Sequence, residues 1–348
     1  MLRTVALQPG VGGEAVFDQA LAQTTRVTQS HSFSIIVPTY QRREMVCEAV
    51  NALARLEYDG PLEIIVVVDG STDGTASALA GLNCPFRLKV LEQANQGQAA
   101  ARNRGAEVAT GEILLFLDDD MICEPDLVQQ HARAYADGAD VVTGEVPIHP
   151  ESAKSLTTDV LTRAASWPRG GKASPFDVYS GHLSIRRKVF REVAGFDEVL
   201  FAGGYGGEDL DLGLRLFGRY DVRHCAAAIA WQKNLIGPSA HMRRARRVAA
   251  ADLRVMAKHP QVKTELLAHR GAPMRGKMPL SFQLSRVPVL APVAAAAATW
   301  LAMLAAGTRF HANPLLARIY FTARSVSYWA AFQTAAGKVI VRDRGRGN

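Results

Sequence analysis

From Phe33 onward the chain alternates short, wholly apolar runs with longer amphipathic ones, and this alternation restricts the fold more than any other feature. Residues 33–37 (FSIIV), 62–68 (LEIIVVV), 86–91, 112–117 (EILLFL) and 140–143 have the length and character of buried strands. Between them, residues 42–56, 75–82, 97–108 and 125–136 carry helical spacing. Strands that are apolar on both faces and separated by helices predict an α/β fold built on a parallel sheet covered on both sides. In such sheets ligands bind outside the carboxyl ends of the strands. The polar residues that follow each strand are therefore the candidates for chemistry.

The flanking regions differ in kind. Residues 1–31 lack a sustained apolar run and read as an extended arm rather than a secretory signal. Residues 145–178 contain Pro147, Pro150, Pro168 and Pro175 and read as a loop-rich connection before a second ordered block at 180–231. At 48% hydrophobic residues most of the chain can bury a core, which excludes disorder. Cys47, Cys84, Cys123 and Cys225 have neither disulfide-framework nor zinc-knuckle spacing, which fits a reducing, cytoplasmic setting. The net charge of +7 conceals an asymmetry. Residues 1–240 hold 22 Lys and Arg against 30 Asp and Glu, whereas residues 241–348 hold 18 against 3.

Three strand ends, one helix and one glycine run carry the chemical signals. The first strand leads into Val37-Pro38-Thr39-Tyr40 and the second into Asp69-Gly70. Asp69 could accept hydrogen bonds from a nucleobase edge, or it could serve turn chemistry alone. After EILLFL come Asp118, Asp119 and Asp120, which repel one another unless a cation neutralises them. A hard divalent ion, Mg²⁺ or Mn²⁺, shared with substrate phosphates would do so, and a solvated loop is the alternative. Arg102, one turn into an alanine-rich helix, could reach a base or phosphate, or be a surface charge. The run 203–213 (GGYGGEDLDLG) places Glu208, Asp209 and Asp211 in the first turn of a helix, where negative charge is favoured in any case. Helix capping does not account for the four glycines before them; a general base on a close-approaching loop accounts for both.

In order and spacing, these pieces resemble the family 2 glycosyltransferases of the GT-A fold over about residues 33–231. The resemblance implies a Rossmann-like nucleotide-sugar-binding domain over 32–240, with a mainly helical, basic appendage over 241–348. It implies that Pro38, Thr39, Tyr40, Asp69, Arg102, Asp118 and Asp119 hold the donor nucleoside. It makes 118–120 the DxD motif, with Asp120 the direct ligand of a divalent Mn²⁺ or Mg²⁺ and Asp118 nearer the ribose. Glu208 and Asp209 then hold the acceptor, with Asp209 as catalytic base, and Gly181, His182 and Gly207 lie on the acceptor side. Members often carry a histidine after the last strand. Here Gln232 stands in its place, and Lys233 could neutralise diphosphate instead, with Arg215 a further candidate. His224 is not the substitute.

The implied activity is inverting transfer of a sugar from a nucleoside diphosphate sugar, uridine donors first, to an acceptor hydroxyl in cell-envelope polysaccharide, glycolipid or related glycan biosynthesis. A catalytically dead nucleotide-sugar-binding scaffold is the alternative. A sugar-1-phosphate nucleotidyltransferase lacks its glycine-rich loop here, an NAD-dependent oxidoreductase lacks GxGxxG, and a processive synthase lacks QxxRW. The tail is rich in Ala, Leu and Trp as well as Arg, which suits an anionic membrane surface better than nucleic acid. For 287–307 and 315–336 the expectation is association with the inner face of the cell membrane first, packing on the catalytic part or a homodimer contact second, and a span third.

Overall fold

The computed structural model describes residues 30–152, 174–201, 206–233, 237–270, 280–286, 292–294, 296–297, 300 and 314–344. The expected arm, the core of the loop-rich connection, Gly203 and Gly204, and most of 287–307 lie outside the described residues.

The first half follows the expected alternation. Strands β1 (Phe33–Thr39), β2 (Leu62–Asp69), β3 (Arg87–Gln93) and β4 (Ile113–Leu117) are joined by helices α1 (Arg43–Leu53), α2 (Thr75–Ala80) and α3 (Gln98–Val108). β1 and β4 are buried along their whole length, as apolar runs covered on both faces must be. β5 (Met121–Cys123), α4 (Leu127–Ala136), β6 (Val141–Glu145), β7 (His182–Arg186), α5 (Arg187–Glu192), α6 (Glu208–Leu216) and β8 (Val222–Gln232) complete this part. The sheet runs β3-β2-β1-β4-β7-β6-β8-β5.

The expectation of a parallel sheet holds from β3 to β4 and again between β6 and β8. β7 is antiparallel to both β4 and β6, and β5 is antiparallel to β8. β7 returns directly beside β6, the strand that precedes it in the chain, and such a return can pair antiparallel with no βαβ crossover. The result is an eight-stranded mixed sheet, with β1 flanked by β2 on one side and β4 on the other. Chain order reverses between β1 and β4, and in open α/β sheets such a switch point is where ligands bind.

Behind β7 a polar chain is buried in the apolar core. The Glu145 carbonyl can only accept, so the His182 Nδ1 3.1 Å away carries the proton and its Nε2 is an acceptor. His131 Nε2 then donates to His182 Nε2 at 3.0 Å, and Ser184 Oγ donates to His131 Nδ1 at 2.8 Å. Tyr135 closes the chain by donating to Ser184 Oγ at 2.9 Å. Every member is satisfied only while both imidazoles are neutral. Burial lowers both histidine pKa values, that of His182 to about 4.

The C-terminal helices α7 (Pro238–Lys258), α8 (Lys263–His269), α9 (Leu280–Ser285) and α10 (Pro314–Arg344) revise the reading of the tail. Tyr320, Tyr328 and Trp329, expected at a lipid surface, are buried. Tyr328 and Trp329 pack with Ala245 and Ala249 of α7. Tyr328 also donates to the buried Asp252 at 2.6 Å, and Arg270 grips the same carboxylate at 2.8 and 3.1 Å. The aromatics of 315–336 thus do within the protein what was expected of them at a membrane. The second-ranked alternative describes this segment. Among the described residues no helix is long and apolar enough to cross a membrane.

Because the buried histidines exist only uncharged, the imidazole resonances of His131 and His182 should not titrate between about pH 5.5 and 8 in the folded protein. Side-chain NMR checks this, and an ordinary midpoint near 6.5 for either ring would contradict the chain of bonds described.

Candidate active site

The site is assembled where β1 and β4 diverge at their carboxyl ends. β1 delivers Thr39, and β4 ends at Leu117 with the three aspartates immediately beyond it. α3 comes close to the sheet because residue 105 is glycine. A Cβ there would lie 2.5 Å from Ile36 Cγ2. Arg102, three residues earlier on the same helix, is thereby sunk to 2% exposure. It is not the surface charge its alanine-rich helix allowed.

Arg102 joins the two acidic clusters. Its Nη2 donates to Asp118 Oδ1 at 2.7 Å, and its Nη1 lies 3.8 Å from Glu208 Oε1. The ring of Phe196 lies against the guanidinium at 5.6 Å. The charges of Asp118, Asp209 and Glu208 together hold the Arg102 pKa above its ordinary value against the cost of burial. Ninety residues separate these acids in the chain, and one buried cation holds them in one cluster.

The aspartates after β4 take distinct roles. Asp118 accepts from Arg102 on one oxygen and from the Tyr179 hydroxyl, at 2.9 Å, on the other. Asp119 accepts from Thr39 Oγ1 and from Arg42 Nη1, each at 2.8 Å, so it is tied into the protein rather than offered to a donor. Asp120 is different. Its Oδ1 is buried with no hydrogen-bond partner, and Arg42 is 3.6 Å from its other oxygen. Burial, with the charges of Asp118 and Asp119, raises its pKa to about 7.

An orphaned, buried carboxylate oxygen in an acid-rich cluster fits a hard divalent cation, and Asp120 is the residue that presents it. Among the described residues no three His, Cys, Asp or Glu side chains form a complete cage. A cation here would draw its remaining ligands from phosphate oxygens and water, as Mg²⁺ and Mn²⁺ do.

α6 brings the second pair of acids. Gly207 precedes it at φ +98°, a conformation that favours glycine, and a Cβ there would lie 2.6 Å from the Phe201 ring. Glu208 is buried and accepts from Gln98 Nε2, at the start of α3. Asp209 accepts from the Ser180 amide at 3.2 Å. Burial raises both carboxyl pKa values, that of Glu208 to about 7 with the neighbouring Asp209 charge adding to the effect.

Other expected residues fall outside this cluster or are otherwise engaged. Asp69 accepts from Gln93 Nε2 and the amides of Gln96 and Gly97 at 2.8–2.9 Å, fixing the loop that opens α3. Three of about four acceptor positions are thereby used. Pro38 pairs with Val67 inside the sheet, and Tyr40 beyond it is half exposed. Gly181 accepts the Asp118 amide on its carbonyl, so it borders the site. His182 does not, because the alternation of side chains along β7 turns its ring into the chain with His131. Lys233 gives its amide to the Asp120 carbonyl at 2.9 Å, but its ammonium pairs with Glu48. Gln232 lies opposite Met121 across the β5–β8 pairing. Arg215 is held by Asp211 and the carbonyls of Val193 and Gly195. His224 is bonded to Glu145.

Sequence reasoning missed Arg42, Gln98, Tyr179 and Ser180. Only Tyr179 and Ser180 had a usable signal, since they adjoin Gly181 at the start of a strand.

Residues 34–193 match the family described as Glycosyl transferase family 2, so the resemblance drawn from the motifs holds over that stretch. An uncharacterized glycosyltransferase of Nostoc sp. is 30% identical over 184 residues, 48% of this chain and 54% of that protein. A validoxylamine A glucosyltransferase of Streptomyces hygroscopicus subsp. limoneus is 29% identical over 216 residues, 53% of this chain and 47% of the other. The chain spans about half the length of the curated relatives it matches. A mannosyltransferase from Pyrobaculum calidifontis, solved with GDP-Man and Mn²⁺, superposes with a TM-score of 0.52. That match is at 21% identity and covers 95% of this chain and 94% of the other. The fold is the GT-A type expected, with a helical C-terminal region.

Replacing Arg102 by Met should cost about 3–5 kcal/mol of stability, because it leaves three carboxylates facing one another without their cation. Denaturant unfolding measures this. The loss should shrink as pH falls through the raised pKa values of Glu208 and Asp209, since protonation removes the repulsion. A variant within about 1 kcal/mol of the parent at neutral pH would show that the cluster does not depend on Arg102.

Proposed function

We propose that the chain transfers a sugar from a nucleoside diphosphate sugar to an acceptor hydroxyl in a single, inverting displacement. The observation that carries this reading is the meeting of Asp118 with Glu208 and Asp209 around Arg102, at the switch point of the sheet, with Asp120 on the same loop as Asp118. One acidic group suits the diphosphate side of such a donor, and the other suits a nucleophile that must lose a proton.

On the donor side, Asp120 with Asp118 would hold Mn²⁺ or Mg²⁺. When bound, the cation supplies positive charge against the diphosphate. Thr39 and Tyr40 border the nucleoside side, and Asp69 keeps about one acceptor position for a base edge. A uridine diphosphate sugar is the first donor to test, following the commonest donor of the family the motifs resemble. The acceptor is a glycan or lipid-linked hydroxyl, and the setting is the synthesis of cell-envelope polysaccharide, glycolipid or a related glycan.

On the acceptor side, Asp209 takes the hydroxyl proton as the oxygen attacks the anomeric carbon. The bond from that carbon to the diphosphate breaks, and its electron pair stays on the diphosphate oxygen. A carboxyl raised above its ordinary range by burial is better matched to proton abstraction near neutral pH than an exposed one. The Ser180 amide and the Arg102 charge favour its ionised form, which is the form a base needs. Glu208, anchored by Gln98 and facing Arg102, orients the pair.

Asp209→Asn should lower turnover about 10²- to 10⁴-fold while nucleoside diphosphate binding stays intact. Steady-state kinetics and calorimetric titration separate the two, and near-parental turnover would refute the assignment. The acid limb of the parent's rate profile should lie above the ordinary carboxylate range, because the Glu208–Asp209 pair must be ionised to act. Asp120→Asn should weaken nucleoside diphosphate binding in Mn²⁺ buffer. Chelation should weaken the parent alike and leave the variant nearly unmoved; equal sensitivity in both would place the cation elsewhere.

A further inference from the structure

The displacement leaves negative charge on the departing diphosphate, which a cation at the cleft offsets. The helix that follows Lys233 carries several arginines. We propose that Arg244 of α7 binds the diphosphate of the donor and stabilises it as it leaves, so that the basic C-terminal region completes the catalytic cleft. This rests on the glycosyl-transfer reading and adds a leaving-group contact to it.

Helical spacing and packing point to Arg244 specifically. Residues 244, 248 and 251 stand at i, i+4 and i+7, on one face of α7. Val248 lies 3.8 Å from a Cβ built on Gly206, and Ala251 lies 3.1 Å from one built on Gly207. The next residue along this face, Val255, is buried with Phe201 and Leu210. This face of α7 therefore lies against the turn that delivers Glu208 and Asp209, and Arg244 sits on it one helical turn nearer the start of the helix. That start is tethered to the donor side, because the Lys233 amide, five residues before Pro238, bonds the Asp120 carbonyl.

Burial sorts the arginines of this helix the same way. Arg243, Arg246 and Arg247 are exposed, whereas Arg244 and Arg254 are half-buried, and Arg254, nearly three turns further along, lies against the Phe201 ring. Its charge reaches the Tyr179 hydroxyl, where it opposes the effect of Asp118 and Asp120. That hydroxyl is the one that donates to Asp118, an acid assigned to the donor. A guanidinium suits the role because its fork can hold two phosphate oxygens at once, which a lysine ammonium cannot do in the same geometry.

In the transfer itself, the acceptor oxygen forms its bond to the anomeric carbon as the carbon–oxygen bond to diphosphate breaks. The proton goes to Asp209, and the electron pair goes to the diphosphate oxygen. Arg244 exchanges no proton; it offsets the added charge.

The test is calorimetric titration of the full-length chain in Mn²⁺ buffer with UDP and GDP, and with the matching monophosphates. Arg244→Gln should weaken binding of the diphosphate about tenfold to a hundredfold and that of the monophosphate by less than about twofold. Arg244→Lys, which keeps the charge without the fork, should fall between parent and Gln variant, and guards against a folding defect that ligand-free melting would reveal. Arg246→Gln, on the exposed side, should bind as the parent does. Parental diphosphate affinity in Arg244→Gln, or equal losses for mono- and diphosphate, would overturn the assignment while leaving the transferase reading in place. A parent that binds neither diphosphate would overturn both.

Discussion

A single guanidinium, that of Arg102, makes the acidic centre of this protein sustainable. Asp118, Asp119, Asp120, Glu208 and Asp209 gather at one end of the sheet, and Arg102 pairs with acids of both groups and Arg42 with acids of the loop after β4. Burial without those partners would push the carboxyls to protonate or the cluster to separate. Even with them, Asp120 and Glu208 are left with pKa values near 7. The site is thus poised electrostatically to attract cations, and the orphaned oxygen of Asp120 marks where that demand is greatest.

The surrounding fold keeps Arg102 in place. Gly105 lets α3 settle onto β1, Asp69 fixes the loop from which α3 starts, and Gly207 lets α6 begin close to Phe201 and α7. Each belongs to a different element, and each affects how closely those elements approach rather than what chemistry they carry. Asp69 is the instructive case. Its carboxylate reads from sequence as a ligand contact, yet most of its hydrogen-bonding capacity goes into shaping the helix that carries the central arginine.

The first four strands and the helices between them were legible because a strand buried on both faces must be a continuous apolar run, as in EILLFL. The acid clusters were legible because acids directly after such runs are costly unless they serve a purpose. Other features had no local signature. Whether β7 ran parallel depended on which strands it returned between, and the facing of His182 depended on strand register, which a short HLSIR run does not fix. Arg42 and Gln98 are ordinary surface residue types whose importance lies in partners 77 and 110 positions away. The tail misled because aromatics interleaved with arginine look alike whether they meet headgroups or another helix. Tyr328 and Trp329 turn inward because α7 presents Ala245 and Ala249, residues small enough to receive them.

The three-residue strand β5 is the smallest element in the sheet, yet it stitches the loop of Asp120 to the last strand, immediately before the chain departs into α7. The acidic loop and the basic helix consequently share a backbone seam. Grafting a foreign tail after that seam would replace one wall of the cleft, so recombination between such chains preserves the pocket only when crossovers fall well downstream of α7.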